Sequence, residues 1–439
     1  MNQSDKTTDA PGKLAVKEGL NIGWSYDGAE VFPSSPEDIQ EVLRYANRTG
    51  SHVCWKTCEK KPEGEYNGNG DCIVVNVSGM KKILEVNEGA RYAVVEPGVS
   101  NGELDLYIRQ KHPGLRHAYS MARSGESVVS CALKDAPNDL STLYGTTSDM
   151  VNGMEVVLPY GACACIGSCS IVPSWFNIGP LPDLRGLFLN WDGLSGIVTK
   201  LSVRLFDAPL HSDLVMYTLK DAGALSDVIG KIVHTEVADQ VNVISREFPS
   251  YMKGIIAAVV RLSGVSSDEL EFKRDMLKSL FAGSRRIFYK DILPPELKQS
   301  LIGGAPAADC GMRGLLFVLP LGKISPAIER IKEIIHRHGC QLCLDFSVTD
   351  HGHKLLAEVG YKIPENGGEY GPSGYKAESG GKAAKELEDA LNGLGGVIWG
   401  RGRRTGADWE KRIHCGAGRL EAQIQNVLDP NGIMRPAYF

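Results

Sequence analysis

Apolar residues in the first part of the chain recur at helical and strand spacings, and they predict a mixed lobe. A Ser-Pro-Glu helix start at Ser34–Glu37 precedes apolar residues at helical spacing, and Gly50 ends this helix. Apolar runs predict strands at His52–Trp55, Cys72–Val77, Met80–Val86 and Arg91–Pro97, followed by a helix at Ser100–Lys111. This order of helices and strands predicts an α+β lobe.

Beyond Asp207 strands and helices alternate, which predicts a second α+β unit. The expected strands are Pro209–Lys220, Val241–Ser245, Ile255–Leu262, Gly314–Leu319, Gln341–Asp350 and Val397–Trp399. The expected helices are Ala222–Val233, Asp268–Ala282, Pro326–His338, Lys382–Leu394 and Leu420–Leu428. Leu293–Asp309 and Asn366–Gly381 are rich in turn-forming residues and are predicted to be loops.

Length and charge narrow the class of protein. A chain of 439 residues with 43% hydrophobic residues is expected to fold as two or three domains with a substantial core. The net charge of −5 predicts no nucleic-acid partner, and no apolar run is long enough to predict a membrane span. The polar N-terminus lacks the apolar core of a secretory signal, so residues 1–20 are expected to be a disordered lead.

The cysteines bear on compartment and on metal binding. Eleven cysteines without a secretory signal predict a reducing, cytoplasmic location. Cys163, Cys165 and Cys169 could bind zinc or an iron–sulfur cluster, or could pack as small apolar side chains in a β-ribbon. Their spacing matches no standard Cys-x-x-Cys pair, so we predict no metal. Cys340 and Cys343 have that spacing, but they lie in a strand-like run in which residues three apart point to opposite faces.

Two loops in the middle of the chain carry the main chemical signal. A polar, turn-rich loop at Ser124–Asn138 leads to the apolar strand Gly153–Pro159, and a tight turn at Asp192–Gly196 precedes the alternating strand Ile197–Phe206. Loops at strand ends can direct backbone N–H groups at an anion such as a diphosphate. Two ordinary β-turns would give the same local pattern, so both interpretations stay open at this point.

Six segments between Val31 and Pro436 occur in the order typical of one family. They are FPSSPEDIQEVLRYAN, DCIVVNVSGMKKILEVNEGARYAVVEPGVS, SVVSCALKD with LYG, GMEVVLPYG, GLSGIVTKLSVRLF and LDPNGIMRP. In these segments the chain resembles the flavin-linked oxidoreductases that include vanillyl-alcohol oxidase and the flavoprotein subunit of p-cresol methylhydroxylase.

The resemblance implies a fold and an activity. It implies a two-subdomain FAD-binding lobe at residues 21–207, divided near Pro97, and an α+β cap with a large antiparallel sheet at residues 208–405. Residues 406–439 would return to the lobe. It also implies FAD where lobe and cap meet, a small aromatic or hydroxylated substrate that gives a hydride to the flavin, and an electron-acceptor protein or paralogous subunit as partner. An oligomer is expected.

Individual positions carry over only where the family motif matches. The resemblance assigns FAD binding to Lys56, Thr57, Pro97, Gly98, Ser127, Val128, Val129, Ser130, Asn138, Tyr144, Gly145, Gly196, Ile197, Val198 and Thr199. Gly196–Thr199 corresponds to the family's GIVT turn, and Tyr144-Gly145 to the pair that follows its second phosphate loop.

Both phosphate loops depart from the family pattern. The first loop, KTCEKKPEGEYNGNGD, is poor in glycine, and the second has Ser130-Cys131 where the family has Gly-Asn. Glycine permits the close backbone approach that a phosphate cradle needs. Asp135 and Asp139 add negative charge to the second loop, whereas Lys56, Lys60 and Lys61 could supply positive charge from the first. The sequence therefore predicts a FAD site that is either rebuilt or lost.

Four side chains are candidates for catalysis. Tyr144 could be a phenol at the flavin edge or a core tyrosine whose hydroxyl finds a backbone partner. His351 and His353 could act as bases in the substrate cavity or could lie in a surface turn. Arg435 could reach the site if the C-terminal tail returns to the lobe.

Three further arginines, Arg401, Arg403 and Arg404, could bind an anion or an acidic partner, or could form a solvated basic face.

The sequence supports two main functions. The first is a FAD-dependent dehydrogenase that passes electrons to a partner protein. The second, suggested by the glycine-poor loops, is a flavin-free paralogue that serves as a scaffold or specificity subunit beside an active flavoprotein. A metal-dependent electron carrier would require the cysteine cluster to bind a metal.

Overall fold

The computed structural model describes residues 21–25, 28–58, 72–119, 123–219, 222–223, 225–247, 255–281, 285–287, 313–362, 377–399 and 413–437. Several predictions concern residues outside these ranges. They are the disordered lead at residues 1–20, the charges of Lys60 and Lys61, the loop Leu293–Asp309, and the roles of Arg401, Arg403 and Arg404.

The first sheet contains four strands, in the order β1-β2-β4-β3. The strands are β1 (Asn21–Ser25), β2 (Gly28–Phe32), β3 (His52–Lys56) and β4 (Cys72–Asn76). Helix α1 (Pro36–Thr49) packs beside this sheet and begins with a capping box, in which the Ser35 hydroxyl accepts from the Asp38 N–H and the Asp38 carboxylate accepts from the Ser35 N–H. Residue Met434, near the end of the chain, forms a parallel bridge with Val53 of β3.

The second sheet has the order β5-β6-β10-β8-β9, and β7 pairs with the far end of β10. The strands are β5 (Ile83–Asn87), β6 (Tyr92–Val95), β7 (Leu115–His117), β8 (Val151–Val157), β9 (Cys163–Ile166) and β10 (Ile197–Asp207). The helices of this part are α2 (Asn101–Lys111), α3 (Val128–Leu133) and α4 (Ser141–Tyr144). The prediction of an irregular loop over Ser124–Asn138 was therefore wrong in its middle, where a buried apolar run forms α3.

The third sheet has eight strands, in the order β14-β11-β13-β12-β16-β17-β15-β18, and every pair in it is antiparallel. The strands are β11 (His211–Leu219), β12 (Gln240–Arg246), β13 (Ile255–Gly264), β14 (Arg285–Ile287), β15 (Arg313–Leu319), β16 (Gln341–Thr349), β17 (Lys354–Lys362) and β18 (Val397–Ile398). The predicted α+β class with a large antiparallel sheet is confirmed. Strand β17 was not predicted.

In the described ranges, four helices accompany the third sheet, namely α5 (Leu225–Thr235), α6 (Ser267–Leu280), α7 (Ile324–Arg337) and α8 (Ala377–Gly393). Apolar side chains of these helices share one core cluster with one face of the sheet, and the second core cluster lies in the first two sheets. Helix α8 begins at Ala377, so the predicted loop at Asn366–Gly381 was wrong at its C-terminal end. A last helix, α9 (Cys415–Leu428), precedes the C-terminal segment. Within the ranges described, no helix is both long and apolar enough to cross a membrane.

Candidate functional site

The first loop begins where β3 ends, and its lysine is held by the protein itself. Lys56 Nζ lies 2.7 Å from Glu30 Oε1, and both side chains are largely buried. Asn76 Nδ2 donates to the same carboxylate oxygen at 2.8 Å. Thr57 follows and is buried. Because Lys56 already neutralises Glu30, its ammonium group is committed to the sheet.

The second loop places its first residues against the end of β6. Ser127 Oγ donates to the carbonyl of Pro97 at 2.6 Å and accepts from the amides of Val129 and Ser130. The amide of Val128 donates to the carbonyl of Val99. The structure thus brings Pro97 and Ser127–Ser130 together, but acceptors of this chain already take these amides.

Glycines at the two predicted turns serve close backbone packing. A Cβ at Gly98 would lie 2.3 Å from the carbonyl oxygen of Ser78, and one at Gly196, where φ is +143°, would lie 2.7 Å from the carbonyl oxygen of Val157. A Cβ at Gly145 would meet the Asp149 carboxylate. The main chain itself requires glycine at these positions.

The polar residues that follow α3 are also held by neighbouring groups. Asn138 Oδ1 accepts from the Leu140 N–H, and Asn138 Nδ2 donates to the Gly145 carbonyl. Asp135 accepts hydrogen bonds from the hydroxyl groups of Thr146 and Ser148, which follow α4, and Asp139 accepts from the Tyr119 N–H at 3.2 Å. Burial raises the pKa of both aspartates. Each added carboxylate of the loop is therefore bound by donors of this chain.

The turn before β10 carries a polar side chain of the predicted site that no described residue satisfies. Ser195 Oγ is buried and has no hydrogen-bond partner within the described part of the chain. Strand β6 pairs with Leu201–Arg204 only, so Ile197–Thr199 extend past its end. The Thr199 hydroxyl is bound to Glu155 at 2.8 Å. Ile197, Val198 and Thr199 are themselves buried. A buried hydroxyl without a partner is a group that a polar ligand atom can complete.

Sequence reasoning missed a buried charged cluster formed by Arg123, Glu126, Cys131 and Lys134. Arg123 Nη1 lies 2.9 and 3.2 Å from the two Glu126 oxygens, and Arg123 Nε has no partner among the residues described. Burial lowers the pKa of Lys134, although Glu126, Cys131 and Cys58 act in the opposite direction. Because Cys58 lies at the start of the first loop, the Lys134 ammonium interacts with a residue of each loop. The available signal was an arginine, a glutamate and a lysine placed around a buried apolar run.

Sequence reasoning also missed a second group of charged residues. It lies where the C-terminal end of the second loop meets the cap. Arg116 of β7 lies 3.5 Å from Asp239, which immediately precedes β12. Arg116 and Arg261 both oppose the rise in the pKa of Asp139 that burial causes. Tyr119 stacks on His117 with ring centroids 5.6 Å apart, and its hydroxyl donates to Asp105. These contacts hold the second loop against the cap.

The cap sheet turns a polar face toward the second loop. Leu344 and Phe346 of β16, and Ala357 and Val359 of β17, lie in the helix-covered core, so the residues between them point to the opposite face. These residues are Asp345 and Glu358, and the charge of Glu358 acts on Arg123. On this side, the Trp399 indole Nε1 donates to the carbonyl of Lys134 at 2.9 Å.

The catalytic candidates fall into two groups. The Tyr144 ring is half exposed and lies 4.7 Å from that of Phe206, at the end of β10 far from Ile197. The turn that carries His351 and His353 packs against α4, and both histidines are exposed. Arg435 lies beside β3: its Nη2 is 2.7 Å from His52 Nε2, and its Nη1 donates to the carbonyls of Gly432 and Met434.

The site is elongated. Six residues of β10 lie between Thr199 and Phe206, so these two positions are about 23 Å apart along the strand. Ser195 precedes one end of β10, and the Tyr144 ring lies beside Phe206 at the other end. In the part of the chain that is described, no group of three or more His, Cys, Asp or Glu side chains is placed to hold a metal ion.

Comparisons with known proteins agree with this geometry. Residues 28–165 match the family model described as FAD binding domain. Among curated proteins, D-2-hydroxyglutarate dehydrogenase of Stutzerimonas stutzeri is 28% identical over 51% of this chain and 49% of its own length. The mitochondrial D-lactate dehydrogenase [cytochrome] of Arabidopsis thaliana is 24% identical over 48% of this chain and 37% of its own length. The chain thus spans about half or less of these relatives.

Solved structures share the fold over nearly the whole chain. The substrate-bound structure of p-cresol methylhydroxylase has a TM-score of 0.74 and 19% identity, and the match covers 92% of this chain and 87% of that one. The 4-ethylphenol oxidase from Gulosibacter chungangensis has a TM-score of 0.73 with the same identity and coverage.

Proposed function

Residues 28–165 are a FAD-binding domain, which makes the chain a relative of the FAD-linked oxidoreductases, and from this premise we propose that it is a FAD-dependent dehydrogenase of a small hydroxylated substrate. The observation that carries the proposal is that two buried polar atoms of the predicted site, Ser195 Oγ and Arg123 Nε, lack partners in the described ranges. The ammonium of Lys134 interacts with Glu126, with Arg123 and with Cys58 of the first loop, so it adds a second cation near Arg123.

Specific residues would hold the cofactor. The edge of Ile197–Thr199 and the Ser195 hydroxyl would bind its neutral polar groups, and the Lys134 ammonium and the Arg123 guanidinium would face its anionic groups. Bound FAD supplies a two-electron oxidant, so a substrate alcohol would lose a hydride and its hydroxyl proton and become the carbonyl compound. The polar face of the cap sheet would cover the substrate and offer carboxylates to the proton.

In this proposal the groups that bind the FAD diphosphate differ from those of the family pattern. The α3 amides and Lys56 are occupied by Ser127, Val99 and Glu30, so they do not serve the diphosphate. In this proposal Lys134, which interacts with Cys58 of the first loop, would supply the cation instead. This is how the glycine-poor loops and a FAD-binding domain can coexist.

Partner and compartment are part of the proposal. Two electrons per turnover must leave the cofactor, and the relative named D-lactate dehydrogenase [cytochrome] supports a protein acceptor. The cysteine-rich composition of the chain, eleven residues in all, supports a reducing, cytoplasmic location.

The experiment is a spectroscopic titration of the purified chain with FAD, followed by anaerobic addition of candidate substrates. We expect the flavin absorption bands to shift when FAD binds. When a substrate is then oxidised, the bands of oxidised flavin should bleach. The expected control is Lys82→Met, an exposed change that should leave the titration as it is.

A flavin-free subunit is the second candidate, and one observation favours it. The amides of Val128–Ser130 and the Lys56 ammonium are satisfied without any ligand. If the titration shows no binding of FAD, while the protein co-purifies with a flavoprotein in stoichiometric amount, this second function replaces the first.

A further inference from the structure

The turn that precedes β10 has an unfavourable backbone conformation. Asn190 and Asp192 have φ angles of 60° and 49°, and Gly193 and Gly196 have φ angles of 73° and 143°. A residue with a Cβ is disfavoured in this left-handed region, so Asn190 and Asp192 keep it only where other contacts stabilise it. The conformation of the turn therefore depends on neighbouring segments.

Three successive carbonyls of this turn are each bound by a different segment. The carbonyls of residues 192, 193 and 194 accept hydrogen bonds from the Ala437 N–H at 2.7 Å, from Trp55 Nε1 at 3.3 Å and from Gln425 Nε2 at 3.2 Å, in that order. Ala437 lies in the C-terminal segment, Trp55 on β3 and Gln425 on α9. The third of these bonds holds the peptide group that joins Leu194 to Ser195.

The bond from Gln425 fixes the direction of an N–H group. The carbonyl and the N–H of a trans peptide group point to opposite sides, so the Ser195 N–H points away from Gln425. This N–H donates to no backbone carbonyl of the described residues, and the Ser195 hydroxyl is also unpartnered there. Ser195 therefore offers two donors, and Gln425 sets the direction of one of them.

The Gln425 side chain is used for its N–H donor. Its Oε1 is buried and has no partner within the described ranges, and a buried acceptor without a donor is unfavourable. An apolar side chain would avoid that cost but would leave the Leu194 carbonyl without its donor. Helix α9 contains no buried residue, so Gln425 links a helix that is otherwise loosely packed to the turn.

We propose that Gln425 is a positioning residue for the cofactor. By holding the Leu194 carbonyl, it directs the Ser195 N–H toward an acceptor oxygen of bound FAD, next to the Ser195 hydroxyl. Gln425 lies far outside residues 28–165, the part of the chain that matches the FAD-binding domain. The inference rests on the proposed function and adds to that site a residue that acts through Leu194.

The first test compares the affinity for FAD of the full chain and of its variants, measured by flavin fluorescence. Gln425→Leu removes the donor and should weaken FAD binding about tenfold. Gln425→Lys keeps an N–H donor for the Leu194 carbonyl and should recover most of the affinity. Gln423→Leu and Gln423→Lys, at an exposed position of the same helix, are the matched controls for the side chain and the charge and should bind FAD like wild type.

Hydrogen–deuterium exchange gives a readout that does not depend on affinity or activity. Without FAD, the peptide that contains residues 191–197 should exchange faster in Gln425→Leu than in wild type, whereas β13 should exchange as in wild type. Added FAD should slow the exchange of this peptide in wild type and in Gln425→Lys, and much less in Gln425→Leu.

The outcomes distinguish this inference from the proposed function. If wild type takes up no FAD, the proposed function is wrong, and exchange without FAD still shows whether Gln425 orders the turn. If wild type binds FAD and Gln425→Leu binds it equally well, the inference is wrong and the proposed function stands. Failure of Gln425→Lys to recover affinity also contradicts the inference. Faster exchange of β13 as well as of the turn in Gln425→Leu would assign Gln425 a general structural role instead.

Discussion

The Thr142 hydroxyl donates a hydrogen bond to the carbonyl of Val348 at 2.8 Å and accepts one from the Val241 N–H at 2.9 Å. Thr142 lies in the helix that follows the second loop, whereas Val241 and Val348 belong to neighbouring strands of the cap sheet. One buried hydroxyl therefore joins the lobe to two cap strands.

Replacing this hydroxyl should destabilise the contact between the lobe and the cap. In Thr142→Val both backbone groups lose their partner in a buried setting, so we expect a loss of about 2 kcal/mol in the free energy of unfolding. Urea unfolding followed by tryptophan fluorescence measures it. Thr235→Val is the control, because that hydroxyl donates to the Ile232 carbonyl within its own helix. If the two variants lose the same free energy of unfolding, the contact between lobe and cap stabilises the protein no more than an ordinary hydrogen bond within a helix.

His117 predicts a pH dependence of stability. Its ring is buried, Nε2 is 2.9 Å from Asn101 Oδ1, and burial lowers its pKa from 6.5 to about 4. Between these values the unfolded chain binds more protons than the folded one, so stability rises with pH and is lost as pH falls from about 6.5 toward about 4. The contribution is about 3 kcal/mol.

The measurement is the free energy of urea unfolding from pH 4.5 to pH 7.5, in wild type and in His117→Gln. The difference between the two proteins should shrink as pH falls. His211→Gln, at an exposed position, serves as the control and should follow wild type. A difference that stays constant with pH would mean that the folded and unfolded states bind this proton equally, so that folding does not lower the pKa of His117.

Local signals in the sequence predicted local structure well. Ser35 and Asp38 form the capping box that begins α1, and the spacing that identifies it lies within four residues. Residues whose role depends on distant partners were not recognised. The partner of Lys56 is Glu30, on a strand that was not predicted, and Arg123 gains its setting from Glu358, more than two hundred residues away in the chain.

Distant partners also explain why the role of Ser127 in the predicted FAD site was not recognised from the sequence. Ser127 was expected to serve a phosphate because the motif around it matches the family. Its hydroxyl instead binds the Pro97 carbonyl and the α3 amides, and only the packing of that helix against β6 makes this visible. Hydrogen bonds between segments about thirty residues apart leave no periodic trace in a sequence.

The buried pair Lys56–Glu30 should be structural. Lys56→Met leaves the Glu30 carboxylate with the Asn76 amide but without its cation, and we expect a loss of about 3–5 kcal/mol in the free energy of unfolding. Adding Glu30→Gln should restore much of the loss, because no unpaired charge then remains. Full stability of the single variant, together with weaker FAD binding, would instead assign Lys56 to the cofactor.

Cys163 should react slowly with alkylating reagents although it is exposed. Desolvation, followed by the charges of Glu155 and Cys165, raises the pKa of Cys163 to about 11. The thiolate is the reactive form, so the rate should rise about tenfold per pH unit from pH 7 to pH 10. Iodoacetamide labelling followed by peptide mass spectrometry gives the rate, with glutathione as the reference thiol. A plateau near pH 9 would indicate an ordinary thiol.

Lys134 decides whether the second loop was rebuilt around a cation. Its ammonium lies among Glu126, Cys131 and Cys58, so it interacts with residues of both loops, and burial lowers its pKa. A bound diphosphate would favour the charged form, because an anion close to an ammonium group stabilises it.

Lys134→Met should therefore weaken the binding of FAD at least tenfold, which corresponds to a loss of about 1.4 kcal/mol in binding free energy. Lys134→Arg keeps the charge and should retain most of the affinity. For wild type, affinity should fall as pH rises through the pKa of Lys134, and the methionine variant should lack this dependence. Fluorescence titration with FAD between pH 6.5 and pH 9.5 distinguishes these cases. Equal affinities for wild type and Lys134→Met at every pH would show that the diphosphate, if bound, is held elsewhere.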